Sequence, residues 1–127
     1  MRILKTRDFV KFARRAKIAD SSLRRAASEL ERGLIDADLG GGVFKQRVAR
    51  EGGGKSGGFR VLLVFRSGER AIFLDGFAKN ERTNIEVVEL RALRRLAADL
   101  LDYNDATIAR ALSSGALLEV ESDGQTL

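Results

Sequence analysis

Spacing first suggests chemistry in the stretch Gly52-Gly53-Gly54-Lys55-Ser56-Gly57-Gly58. Starting at Ala49, the chain matches a relaxed phosphate-loop pattern: a small residue, four residues, then Gly54-Lys55-Ser56. A nucleotide-binding loop has to open into a helix, whose N-terminal amides and dipole hold the phosphates. Here the loop runs into two further glycines and a strand-like segment, Phe59–Arg66, so nucleotide hydrolysis is set aside. The loop can instead bring Lys55 and bare backbone amides close to a phosphate chain.

A second set of residues points the same way. Lys45 and Arg47 are two apart in a strand-like run and project from one face. Arg60 opens the next run, Arg66 shares its parity, and Lys79 and Arg82 follow the third. If the runs are neighbours, these cations converge on one concavity, with no run of acids interleaved to neutralise them, as a site for backbone phosphates requires. Each cation alone is an ordinary surface charge; the clustering depends on strand order. Such a site could cleave RNA. The 2′-hydroxyl must lose a proton, the phosphorane must be stabilised and the 5′-oxygen must gain a proton. Arginine stabilises the phosphorane, and lysine can shuttle protons once neighbouring cations lower its pKa. Phe59 and Phe77 could stack on bases, although packing in a core is the commoner use of such rings. Asp36 and Asp38, beside Gly40–Gly42, are expected to shape a turn, and Asp75 to pair with a neighbouring arginine. No metal or cofactor is expected.

Composition narrows the chemistry further. The 127 residues include no His and no Cys. Serine–histidine and cysteine–histidine hydrolysis, thiolate metal sites and disulfides are therefore excluded. Residues 1–60 carry 15 Lys and Arg against 7 Asp and Glu, and residues 61–127 carry 8 against 11. The first half is thus suited to facing a polyanion. No apolar run approaches the ~18 residues of a membrane span, and Met1-Arg2-Ile3-Leu4-Lys5 lacks the apolar stretch of a secretory signal. A cytoplasmic protein without a membrane partner is expected.

The elements that must position these residues follow from periodicity. Arg2–Lys5 reads as a short strand. Thr6 can cap a helix over Arg7–Lys17 that buries Phe9, Phe12, Ala13 and Ala16. Asp20 or Ser21 can cap a second, with Leu23, Ala26, Ala27, Leu30 and Leu34 on one face and Gly33 near its end. Val43–Ala49, Phe59–Arg66 and Arg70–Phe77 read as strands, the last two joined by a turn at Ser67-Gly68-Glu69. Thr83 and Glu86 fit a capping box for a helix over Asn84–Asp102, with Ile85, Val88, Leu93, Leu96 and Leu100 in one stripe. A shorter helix from Asn104 or Asp105 to near Gly115 and a strand at Ala116–Val120 complete the chain. The class is α+β in one domain over residues 1–127: helices on one face of a mostly antiparallel sheet, leaving the other face for function.

The segments Val43-Phe44-Lys45-Gln46-Arg47, Gly53-Gly54-Lys55-Ser56-Gly57-Gly58-Phe59-Arg60-Val61 and Ala71-Ile72-Phe73-Leu74-Asp75-Gly76-Phe77-Ala78-Lys79-Asn80, continuing into Asn84-Ile85, resemble the RelE superfamily of bacterial toxins, specifically its HigB-like branch. The order of elements agrees over nearly the whole chain. The resemblance implies a microbial-ribonuclease-like fold and a metal-independent endoribonuclease that enters the ribosomal decoding site and cuts messenger RNA. It also implies a cognate antitoxin, HigA-like with a helix-turn-helix, which neutralises the toxin and alone brings it to operator DNA. By position, Lys45 and Arg47 match the basic pair on the family's second strand and Arg60 the arginine after the Gly-aromatic pair. Lys79 matches the cation after the last strand, and Lys55 the loop lysine of this branch. Arg66, Phe77, Asn80 and Arg82 are then candidate RNA contacts. Some relatives place a Tyr near the C-terminal end of the site; the single Tyr here, Tyr103, falls late in the long helix, so the role of base passes to Lys45 or Lys55. A non-catalytic nucleic-acid-binding module on the same basic sheet is the alternative. A third reading is an interaction protein using the acidic stretch Asp99–Leu127.

Overall fold

The structure, a computed structural model, describes residues 1–49, 58–78 and 85–121. In chain order the elements are β1 (Arg2–Thr6), α1 (Arg7–Ala16), α2 (Asp20–Glu31), β2 (Ala37–Gly40), β3 (Val43–Val48), β4 (Phe59–Arg66), β5 (Arg70–Ala78), α3 (Val87–Asp102), α4 (Asp105–Ser114) and β6 (Leu117–Glu119). The described strands form one sheet in the order β2-β3-β4-β5-β1-β6. Only β1 and β5 pair in parallel; the other neighbours are antiparallel. This is the expected α+β architecture.

Local chemistry sets the first helical boundaries. The Thr6 hydroxyl accepts the Phe9 amide at 3.1 Å, which starts α1. The helix stops where Lys17 turns left-handed at φ 56°. α2 departs from expectation, because its N-cap is Ala19 and no side chain caps it. Asp20, the expected cap, instead takes Lys5 Nζ on Oδ1 at 2.7 Å and the Glu121 amide on Oδ2 at 2.8 Å. It thereby ties α2 to β1 and to the segment just after β6. Leu34 lies beyond α2 and is exposed. The Asp36–Asp38 region also differs: β2 adds a strand to the edge of β3, and only Asp38 shapes the turn, accepting the Gly40 amide at 2.9 Å.

Both sheet faces are packed. On one, α1 and α2 bury Phe9, Leu23, Ala27 and Leu30 against Val48, Val61, Leu63 and Phe73. Gly76 belongs to this face. A methyl group there would lie 2.2 Å from Cε2 of Phe12, whose ring is held between those of Phe9 and Phe59. The glycine is required for space rather than for its backbone angles.

The second face was expected to be open, yet half of it is covered. Ala97 and Leu100 of α3 and Ile108 of α4 close over Leu4, Val43, Val64, Ile72, Leu74 and Leu117. The buried stripe of α3 runs through Leu93, Ala97 and Leu100, whereas Val88 and Leu96, expected to be in it, are exposed. α3 starts at Val87, with a reciprocal capping box between Glu86 and Glu89; Thr83 and Asn84 lie outside the described residues. Arg94 hooks α3 onto the β2–β3 turn by donating from Nε and Nη2 to the carbonyl of Leu39. Gly40, Gly41 and Gly42 there all have positive φ, and the Arg94 side chain lies against the first two. Among the described residues, no helix is long and apolar enough to cross a membrane.

Two measurements test this packing. Gly76→Ala should lower the urea-unfolding free energy by about 1–3 kcal/mol, as overpacking of a filled core does. Glu31, at the end of α2, accepts from the Ser67 hydroxyl and the Gly68 amide in the β4–β5 turn, which lowers its carboxyl pKa from 4.5. A depressed folded-state pKa stabilises above the unfolded value and is lost as pH falls through the folded one. The wild type should therefore be more stable than Glu31→Gln at neutral pH, and their urea midpoints should converge as pH drops below 4.5.

Candidate nucleic-acid interface

Strand register brings the cations together. Arg47 on β3 stands directly opposite Arg60 on β4, and Arg60 is opposite Phe77 on β5. In the next row Lys45 faces Leu62, which faces Asp75. Directly opposed residues share a face with Cα atoms about 4.5–5.5 Å apart, and the two rows are about 7 Å apart along the strands. Lys45, Arg47 and Arg60 thus form one patch, with their side chains on the face that α3 and α4 cover only at its other end.

Two arginines in direct cross-strand opposition repel one another. Asp36, just before β2, offsets this. Its Oδ1 accepts from Nε of Arg47 at 3.2 Å, and its Oδ2 lies 3.8 Å from Nε of Arg60. Asp36 is itself fixed by Gln46, the buried polar residue on the opposite face of β3. The Gln46 carbonyl accepts the Asp36 amide at 2.7 Å, and its NH2 donates to the Leu34 carbonyl at 3.0 Å. This single acid among the cations was not expected, and the role of Asp36 as a turn residue is thus corrected. The Arg60 side chain is 13% exposed, and its Nη1 is buried with no acceptor among the described residues. One N–H-bearing nitrogen of Arg60 is thus left without a described acceptor, and an anion could reach it only after its surroundings move.

Not every expected residue joins the patch. Arg66 shares its face with Arg60 but lies six residues along β4, about 20 Å away. Its Nη1 reaches the Leu101 carbonyl at 3.5 Å, and its strand partner Arg70 donates to the Leu100 carbonyl at 2.9 Å. Both arginines serve the last turn of α3, where a helix favours positive charge. Phe77 is 5% exposed, so a base could stack on it only after it moved. Tyr103 caps the C-terminus of α3 and packs against the core beneath α3 and α4, remote from the patch. Lys55, Lys79, Asn80 and Arg82 lie outside the described residues.

The structure also forms a cleft that spacing could not reveal. A cleft of about 540 Å³ at the end of β5 is lined by Phe12, Arg15, Ala16, Phe59, Asp75, Gly76 and Phe77. Arg15 comes from the last turn of α1, distant in sequence from the strand cations. Asp75 on the cleft wall accepts the Gly76 amide at 2.8 Å. The Asp36–Arg contact had one sequence signal, an acid within reach of a basic strand across a glycine turn, but the missed strand β2 concealed it.

Because Gln46 is buried and both its amide ends are used, Gln46→Leu should leave two backbone groups unpaired. A loss of about 1–3 kcal/mol in urea unfolding is expected.

The model of a family described as RelE toxin of the RelE/RelB toxin-antitoxin system matches residues 1–120. No curated protein matches the chain. The family match takes in the two N-terminal helices, the basic patch with its acidic clamp and the helices that close the second core. It also implies a RelB-type antitoxin as partner. The chain therefore belongs to the RelE toxin family of type II toxin–antitoxin systems.

Proposed function

We propose that this toxin is a HigB-like, metal-independent endoribonuclease that cuts messenger RNA in the ribosomal decoding site, and that a HigA-like helix-turn-helix antitoxin neutralises it. The observation that carries the reading is the in-register pair Arg47–Arg60 beside Lys45, at the end of β3 away from Val43. Family membership and the Lys55-Ser56-Gly57-Gly58-Phe59-Arg60 segment support it.

In the reaction, the 2′-oxygen attacks the adjacent phosphorus. It loses its proton to a base and forms a 2′,3′-cyclic phosphate as the bond to the 5′-oxygen breaks. That oxygen leaves as a hydroxyl after gaining a proton. Arg60 is the residue assigned to the phosphorane, because a rigid strand holds it and its Nη1 has no acceptor among the described residues. Arg47 adds a second positive charge. Lys45 or Lys55 serves as base, and Lys79 completes the cationic set. Asn80 and Arg82 are assigned to RNA contact.

Expression of the wild type in bacteria without an antitoxin should arrest growth and produce new 5′ ends inside translated frames. Arg60→Ala should reduce cleavage on the order of 100-fold and restore growth. Normal growth with intact transcripts from a folded wild type would refute cleavage and leave a non-catalytic nucleic-acid-binding module. The dependence of that module's RNA affinity on salt would then count its phosphate contacts.

A further inference from the structure

We propose that Asp36 is a positioning residue for this cleavage: it clamps Arg47 and Arg60 side by side so that a phosphate meets a preset pair of guanidinium groups. The proposal rests on the ribonuclease reading above. Three observations carry it. The carboxylate is shared, Oδ1 with Arg47 and Oδ2 with Arg60, across a strand pair whose charges would otherwise push apart. The Asp36 backbone is anchored through Gln46, 2% exposed, so the clamp is built from the core outward. Both recorded contacts are to Nε, and Nη1 of Arg60 has no acceptor among the described residues.

The opposite possibility is that Asp36 acts as a plug, occupying the place of the phosphate. A plug would be expected at the terminal fork of the guanidinium, where a phosphate binds bidentately. Asp36 approaches from the Nε side instead. The clamp and the plug predict opposite kinetics. Removing a plug frees the site and speeds the reaction. Removing the clamp strips a negative charge from a basic patch, so RNA binds as well or better, but the arginines are no longer held where charge develops.

The test compares wild type with Asp36→Asn, which keeps the shape and removes the charge, on ribosome-bound messenger RNA. The clamp requires kcat to fall about 10-fold with KM unchanged or lower, since misplacing a catalytic group costs rate rather than binding. In the 1H–15N spectrum of the toxin, the Nε–H signal of Arg60 should be sharp in the wild type and shift on adding a 2′-O-methyl RNA oligonucleotide. The same signal should broaden in Asp36→Asn. An unchanged or raised kcat overturns the proposal, as does an Arg60 signal that is the same in both proteins. A fall in kcat accounted for by the unfolded fraction in a melting curve overturns it too. If the wild type cuts no RNA, the ribonuclease reading fails instead, and the Arg60 signal with the uncleavable RNA still decides whether Asp36 orders the pair.

Discussion

A slip of one residue between β3 and β4 would turn Arg47 into the core under α1 and α2 and push Val48 out of it. Strand side chains alternate strictly, so register and burial are locked together. Val48 is buried against the helices, and Val43 is buried beneath α3 and α4. Between them, on the same side as Val43, stand Lys45 and Arg47. β3 therefore has to satisfy three demands: an apolar face toward the first two helices, an apolar start beneath the last two, and a charged end that nothing described covers. The observed register, with Arg47 opposite Arg60, meets all three.

This division explains where the later helices lie. If α3 and α4 covered the whole second face, the cations would be buried without water, at a cost that their pairing with a single aspartate could not offset. α3 instead crosses only the end of the sheet where Val43, Val64 and Ile72 are apolar. Arg66 and Arg70 meet its C-terminal carbonyls there, and Arg94 fastens it to the β2–β3 turn. Cations on one strand face thus have two settings: Arg66 and Arg70 at one end hold a helix, and Arg47 and Arg60 at the other share Asp36.

Much of this was legible from local pattern. The Thr6 cap, the apolar spacing of α1 and α2 and the two valine- and phenylalanine-rich strands are short-range features, and they appear in the structure close to where periodicity puts them. Where the reading failed, a distant partner had taken over. Asp20 caps nothing because Lys5 and the Glu121 amide compete for its carboxylate. β2, only four residues with two small ones, is too short for its alternation of Ala37 and Leu39 with Asp38 to mark a strand, and it becomes one where β3 offers an edge. Val88 lies before the first packed residue of α3, Leu93, and Leu96, between Leu93 and Leu100 along the helix, falls to the exposed side of the stripe.

The sequence by itself determined the chemistry that is possible and the parity of the strand residues. The absence of His and Cys excludes histidine- and thiolate-based chemistry, and Lys45, Arg47 and Arg60 fall on strand-like runs. Parity follows from the two-residue period of a strand and needs no partner. Only the tertiary structure decided which cations meet. Pairing distance and register are set by contacts between segments far apart in the chain, so Arg60 is brought to Arg47 while Arg66, of identical parity, is taken to the end of α3. The same long-range contacts place Asp36 between the two arginines, because Gln46, buried in β3, fixes a backbone ten residues away.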